Sequence, residues 1–193
     1  LWVQEAFRTQ LLDVLLTHFY VMGFMTVTFA SFVYPIYFDD RYMADRVSLS
    51  MFWVYILAIP FYLFFNVRVT GDYIPLMETV AYDLTPEIHN WFSRIDPFTN
   101  GMPSLHIGLP FAIWLTMTRW DEDGRWMKFR RLLVAFIALT AFSIIYLGIH
   151  WAIDIIGGML VAIASVTITE RTHKGIWTVA DERLFTRKLA RLI

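Results

Sequence analysis

Two short strings hold the residue types that can do chemistry: Pro103-Ser104-Leu105-His106 and His150-Trp151-Ala152-Ile153-Asp154, each at the end of a strongly apolar segment. Two histidines, a serine and an aspartate in such places point to phosphoryl transfer through a histidine nucleophile. That reaction needs an in-line nucleophile, a proton donor for the leaving oxygen, donors for the equatorial oxygens and a group that orients the nucleophile. His150 and Asp154 are four residues apart, which on a helix puts them on one face. A carboxylate accepting from one ring nitrogen fixes the tautomer and leaves the other nitrogen free to attack, as in the Ser-His-Asp triad. Ser104 and the N–H groups of the helix that follows suit a phosphate, because a helix N-terminus binds anions. His106 is within reach of a leaving oxygen, and imidazole titrates near neutrality. Ionisable groups in or beside lipid are costly, so each is a functional hypothesis by default.

The elements that must position these groups are membrane helices. A span needs about 20 mostly apolar residues, and the chain is read as having five, over 11–34, 47–67, 104–118, 132–147 and 149–168. Pro103 suits the start of the third, and Gly148 is read as loosening the junction of the last two. The stretch 68–103 is not a span. Leu76, Met77, Val80, Ala81, Leu84, Ile88 and Trp91 recur there at helical spacing, an amphipathic face, with Thr85-Pro86 dividing two short helices. Residues 176–193 form a second amphipathic segment, with Leu184, Phe185, Leu189 and Leu192 set against Arg183, Arg187, Lys188 and Arg191. Gly157, Gly158 and Ala162 mark a close helix contact.

Composition agrees. The chain has 193 residues, 58% of them hydrophobic, above the roughly 45–50% of a soluble domain. It is read as all-α, a single transmembrane domain over 1–193. A net charge of -1 implies no nucleic-acid partner, and zero cysteines exclude disulfides and thiolate metal sites. No carboxylate cluster suited to a divalent cation is present, so neither metal nor cofactor is expected. All but three of the 16 basic residues fall in 35–46, 119–131 and the C-terminal region, the exceptions being Arg8, Arg68 and Arg94. The positive-inside rule puts the basic side in the cytoplasm. Ser104, His106, His150 and the 68–103 segment then face the extracytoplasmic side, in the cell membrane, and 176–193 is a cytoplasmic tail.

Pro103-Ser104-Leu105-His106, followed by Ser143 to Asp154, resembles the second and third motifs of the type 2 phosphatidic acid phosphatase superfamily, usually written P-S-G-H and S-R-x5-H-x3-D. The resemblance covers a catalytic core from about Val47 to Ile168. It implies six spans, one of them preceding Leu1, and a metal-free reaction. In it His150 is the nucleophile that forms phosphohistidine, His106 the general acid, Asp154 the orienting carboxylate and Ser104 a phosphate ligand. Two departures stand out. Ile144 occupies the place of the third-motif arginine, and the first motif, K-x6-R-P, is reduced to Asn66-Val67-Arg68-Val69. Arg68 is the expected replacement clamp, with Asn66, Asn100 and Arg94 behind it. Asn100, preceding Gly101, also reads as a turn residue.

Leu105 in place of glycine resembles the inositol phosphorylceramide and sphingomyelin synthase branch. The expected activity is removal of phosphate from a membrane lipid phosphate. The alternative is its transfer to a polyol acceptor such as inositol, and a third reading is a non-catalytic lipid-phosphate binder. His18 and His89 are read as structural and solvated.

Overall fold

The computed structural model describes residues 1–95 and 99–180; residues 181–193, the greater part of the expected tail, lie outside the described residues. In chain order the helices are α1 (Trp2–Phe7), α2 (Gln10–His18), α3 (Phe24–Tyr37), α4 (Arg41–Phe64), α5 (Val80–Asp83), α6 (Pro86–Ile95), α7 (Leu105–Trp120), α8 (Met127–Tyr146) and α9 (Ala152–Ala180). A π-helical turn, Phe19–Gly23, joins α2 to α3 without a break, and a 3-10 turn covers Thr70–Asp72. The protein is an all-α membrane bundle.

Among the described residues, four helical runs are long and apolar enough to cross a membrane: Gln10–Tyr37, Arg41–Phe64, Met127–Tyr146 and Ala152–Ile176. The remaining expected span is α7, which has 16 residues, about 24 Å at 1.5 Å per residue. α7 packs most extensively on α9 and α4, and Ile107, Leu109, Ala112, Ile113 and Met117 are fully buried. It is the centre of the bundle, sheltered by the longer helices. Their outer faces carry exposed apolar side chains such as Phe52, Leu63, Leu132, Leu160 and Ile163, as expected of surface solvated by lipid.

Local chemistry sets the helix ends. Thr9 caps α2 by accepting from the Leu12 N–H at 3.2 Å. Asp40 caps α4 through the Met43 N–H at 2.9 Å, so this helix starts six residues before the expected Val47. Pro86 opens α6 as expected, where a missing N–H costs nothing. The expected amphipathic face is only partly right. Met77, Val80 and Ala81 are buried, but Leu76 is 87% exposed at φ 69°, because the helix starts only at Val80 and a turn precedes it.

The helix crossing at the centre is made by glycine. A Cβ on Gly158 would stand 2.4 Å from the Ser104 carbonyl oxygen and 3.2 Å from the Gly108 nitrogen. Small residues allow this approach, as the spacing of Gly157, Gly158 and Ala162 suggested. Gly158→Ala should therefore destabilise the bundle by about 1–3 kcal/mol, the usual cost of overpacking. Gly175, with nothing within 4 Å of its Cβ position, is the control. Gly175→Ala should leave stability unchanged or raise it by up to about 1 kcal/mol, through helix propensity. Thermal unfolding in detergent reads both, and equal stability of the two variants would remove the crossing from the account.

Candidate active site

The bundle has two chemically different ends. At one, Asp40, Asp121, Arg119, Arg130 and Glu170 interlock: Trp126 Nε1 donates to Asp40 at 2.8 Å, Arg130 pairs with Asp121 at 3.5 Å, and Arg119 with Glu170 at 2.9 Å. A cleft of about 800 Å³ opens there, lined by Asp39–Met43, Trp120–Asp123 and Arg125. It contains no histidine, serine, threonine or cysteine, so it offers none of the expected chemistry. The residues singled out in the sequence gather at the other end.

There α7 and α9 begin side by side. Ser104 is the residue before α7, and its side chain makes no capping bond. Its hydroxyl instead meets His150 Nε2 at 3.2 Å. His150 Nδ1 lies 3.3 Å from Asp154 Oδ2. The carboxylate makes Nδ1 the protonated nitrogen, so Nε2 keeps its lone pair and accepts from Ser104. All three are buried, Ser104 and Asp154 completely.

The helical reading of the His150–Asp154 pair needs correcting. His150 is not on a helix: Ile149 to Trp151 are irregular and α9 starts at Ala152. The pair meets because Asp154, in the first turn, reaches back over the helix N-terminus. Its Oδ2 also accepts the Trp151 N–H at 2.8 Å, the reverse half of a capping box. A negative charge at that position is favoured by the helix dipole. The main chain ties the two helices together as well, with the Ser104 N–H donating to the Asp154 carbonyl at 3.1 Å.

His106 lies in the first turn of α7, its ring centroid 6.0 Å from that of His150. Among the described residues its ring makes no hydrogen bond. Aromatic rings flank it instead: Tyr20 stacks at 4.1 Å with 27° between planes, and Phe24 lies at 4.3 Å. The N–H groups of Leu105 and His106, at the start of α7, point out of the helix with no carbonyl of their own turn to receive them.

The residues after α4 reach the site through their main chain. The Gly101 N–H donates to the Val67 carbonyl at 2.9 Å, Val67 forms a bridge with Asn100, and the Arg68 carbonyl accepts from Trp151 Nε1 at 3.0 Å. Tyr62 donates to the Pro103 carbonyl at 2.6 Å. The side chains of Asn66 and Arg68 are exposed, Asn100 is half-buried as a bridge residue, and Arg94 is exposed on α6. Arg68 has no ion-pair partner among the described residues. Ile144 is fully buried, and its carbonyl accepts the N–H groups of Ile149 and His150 at 3.1 and 3.2 Å. His18 is exposed and bonds to the Val14 carbonyl at 2.7 Å, a structural role. His89 is also exposed.

Gly148 does not loosen the α8–α9 junction. It adopts φ 74°, and a Cβ would stand 2.4 Å from the Glu78 carbonyl, so it makes a tight, braced turn that delivers His150. The brace comes from the N-terminus. Gln4, buried, donates 2.7 Å bonds to the carbonyls of Glu78 and Tyr146 and accepts from the Glu78 N–H at 3.2 Å. Arg8 pairs with Glu78, and Tyr146 donates to Asp13 at 2.5 Å. The hydrogen bond between Arg8 and Glu78 is the main cause that holds the arginine above, and the carboxyl below, its ordinary pKa. None of these bracing residues carried a signal in the sequence, since each meets a partner far away along the chain.

A fully buried carboxylate, an imidazole whose Nε2 accepts from a serine, a second imidazole and a helix N-terminus meet at this end of the bundle. The family pattern of the PAP2 superfamily matches residues 1–168, and the chain belongs to that superfamily. It is thereby a membrane protein of the class of lipid phosphatases. The match extends the resemblance from the 47–168 core to the first helices. A crystal structure of Aquifex aeolicus LpxE has the same fold, with TM-score 0.67 and 20% identity over 88% of this chain and 91% of that one. No curated protein matches the sequence.

Proposed function

We propose that this protein hydrolyses a lipid phosphate through a phosphohistidine at His150, without a metal, at the extracytoplasmic edge of the membrane. The observation that carries the reading is the line Ser104 Oγ, His150 Nε2, His150 Nδ1, Asp154 Oδ2, with contacts of 3.2 and 3.3 Å. Nε2 attacks phosphorus while the bond to the lipid oxygen breaks, and His106 gives that oxygen its proton. Asp154 balances the charge that grows on the His150 ring. Ser104 turns its hydroxyl to the phosphoryl oxygens, together with the Leu105 and His106 N–H groups. Water, losing its proton to His106, then breaks the P–N bond and releases phosphate.

The buried Ile144 favours a second reading, in which an alcohol such as inositol replaces water as the acceptor. One assay separates the two. The purified protein is given a radiolabelled lipid phosphate with and without inositol, in the presence of a chelator throughout. Free phosphate supports hydrolysis, a labelled inositol product supports transfer, and loss of all turnover on chelation would remove the metal-free mechanism.

The roles of the dyad are not equal. His150→Ala should abolish turnover and the acid-labile, base-stable phosphoenzyme. Asp154→Asn should retain a residue of activity, reduced by roughly 10⁴-fold as when the corresponding carboxylate of a triad is neutralised. Trapping labelled phosphoenzyme in a rapid quench reads the first. A phosphoenzyme that survives in His150→Ala would move the nucleophile elsewhere.

Arg68 supplies the clamp that an arginine at 144 would have provided. Its main chain is pinned beside Trp151, and its exposed side chain has no ion-pair partner among the described residues. A guanidinium grips two phosphate oxygens where an ammonium offers one point of charge. Arg68→Ala should lower kcat by roughly 10²–10³-fold, the effect of removing one transition-state donor, and Arg68→Lys by less, both at unchanged thermal stability. A wild-type rate in Arg68→Ala would reduce this residue to an interfacial anchor.

The distribution of basic residues supports the sidedness. With no native cysteine, single cysteines at Asp123 and Tyr73, both exposed, report it directly. In sealed cells an impermeant thiol reagent should label the second and spare the first. The reverse pattern would put the catalytic end in the cytoplasm.

A further inference from the structure

His150 is held by a carboxylate and a hydroxyl, but among the described residues His106 has no such anchor. Its ring lies against Tyr20 at 4.1 Å, nearly parallel at 27°, and against Phe24 at 4.3 Å and 47°. Tyr20 is 1% exposed. It sits in the π-helical turn Phe19–Gly23, the only irregularity in the long first membrane helix. Turns of this kind insert one extra residue and occur frequently at functional sites. The turn is itself locked: Phe19 packs on Phe136 of α8 at 5.1 Å, and a Cβ on Gly23 would stand 3.1 Å from the Phe19 ring. The first helix thus brings a rigid aromatic face to an imidazole that has no hydrogen-bond partner among the described residues.

We propose that Tyr20 is a positioning residue for the general acid: its ring fixes the His106 imidazole in the plane from which it protonates the leaving oxygen. The inference rests on the assignment of His106 as general acid. A stacked ring restricts rotation about the bonds of the histidine side chain without accepting its proton, so the N–H remains available for the substrate. A carboxylate in that place would compete for it. Phe24 supports the same ring at a steeper angle.

The experiment exploits the leaving group. Protonation matters greatly when an alkoxide must leave and little when a stabilised phenolate does. We compare kcat/KM, which reports the first phosphoryl transfer, for dodecyl phosphate and 4-nitrophenyl phosphate. With Tyr20→Leu the rate on dodecyl phosphate should fall roughly 10- to 100-fold, the scale of a 1 Å misplacement, and the rate on 4-nitrophenyl phosphate by far less. Tyr20→Phe keeps the ring and should stay within about twofold of wild type on both. His106→Ala should show the same selectivity, more strongly, within the roughly 10²–10⁴-fold range of general acid catalysis. His150→Ala should lose both substrates.

Equal losses on the two substrates in Tyr20→Leu would make Tyr20 merely structural and overturn the inference, as would full activity in that variant. Equal damage in Tyr20→Phe and Tyr20→Leu would transfer the role from the ring to the hydroxyl and overturn it too. If His106→Ala itself is unselective, the assignment of His106 falls and the role of Tyr20 falls with it. Selective His106→Ala beside unselective Tyr20→Leu overturns the positioning role alone.

Discussion

The approach of α7 to α9 at Gly108 and Gly158 is the constraint on which the catalytic end depends. In lipid there is little hydrophobic gain from bringing two helices together, so close packing and main-chain contact must supply the attraction. The crossing leaves no room for a side chain at Gly158. It makes two consequences unavoidable: the Ser104 N–H reaches the Asp154 carbonyl, and the Ser104 hydroxyl reaches His150. Two helix N-termini then converge on one point, each with a partial positive charge of roughly half a unit. Asp154 supplies an internal anion to that field. The same field is suited to a phosphoryl group.

The two histidines differ in how they are held. A buried carboxylate, two hydrogen bonds and a helix terminus fix His150. Aromatic rings flank His106. Burying an ionised carboxylate is costly unless it is paired and hydrogen-bonded. Asp154 has both at one oxygen, Oδ2, while Oδ1 is buried without a hydrogen bond among the described residues.

His150 is delivered by a junction, and the junction is braced from afar. Gly148 turns the chain, Ile144 accepts the His150 N–H, and Gln4 and Glu78 close over the turn. Position 144 thus packs into the core while its carbonyl holds the His150 N–H. The opposite end of the bundle is stapled by ion pairs, of which the exposed Arg119–Glu170 pair is worth little by itself, while the Asp121 side chain, paired with Arg130, is buried.

Much of this was legible in the sequence. Long apolar runs must become helices in lipid, because no other open structure satisfies its own main chain there. Hydropathy therefore located four spans and the central α7 to within a few residues at most ends. Costly polar groups at the ends of those runs marked Ser104, His106, His150 and Asp154, and small residues marked the crossing. What failed was local geometry. Four-residue spacing placed His150 on a helix, whereas α9 begins two residues later and the carboxylate folds back to meet it. Gly148 read as slack, because only the neighbouring Glu78 carbonyl reveals it as a tight turn. Tyr20, Gln4 and Tyr62 could not be singled out at all. Periodicity and cost act within a segment, so residue types alone determined the fold class and marked the polar groups that meet at one end of the bundle. Which distant ring or carbonyl meets them depends on helix crossings, and only the tertiary structure decides that.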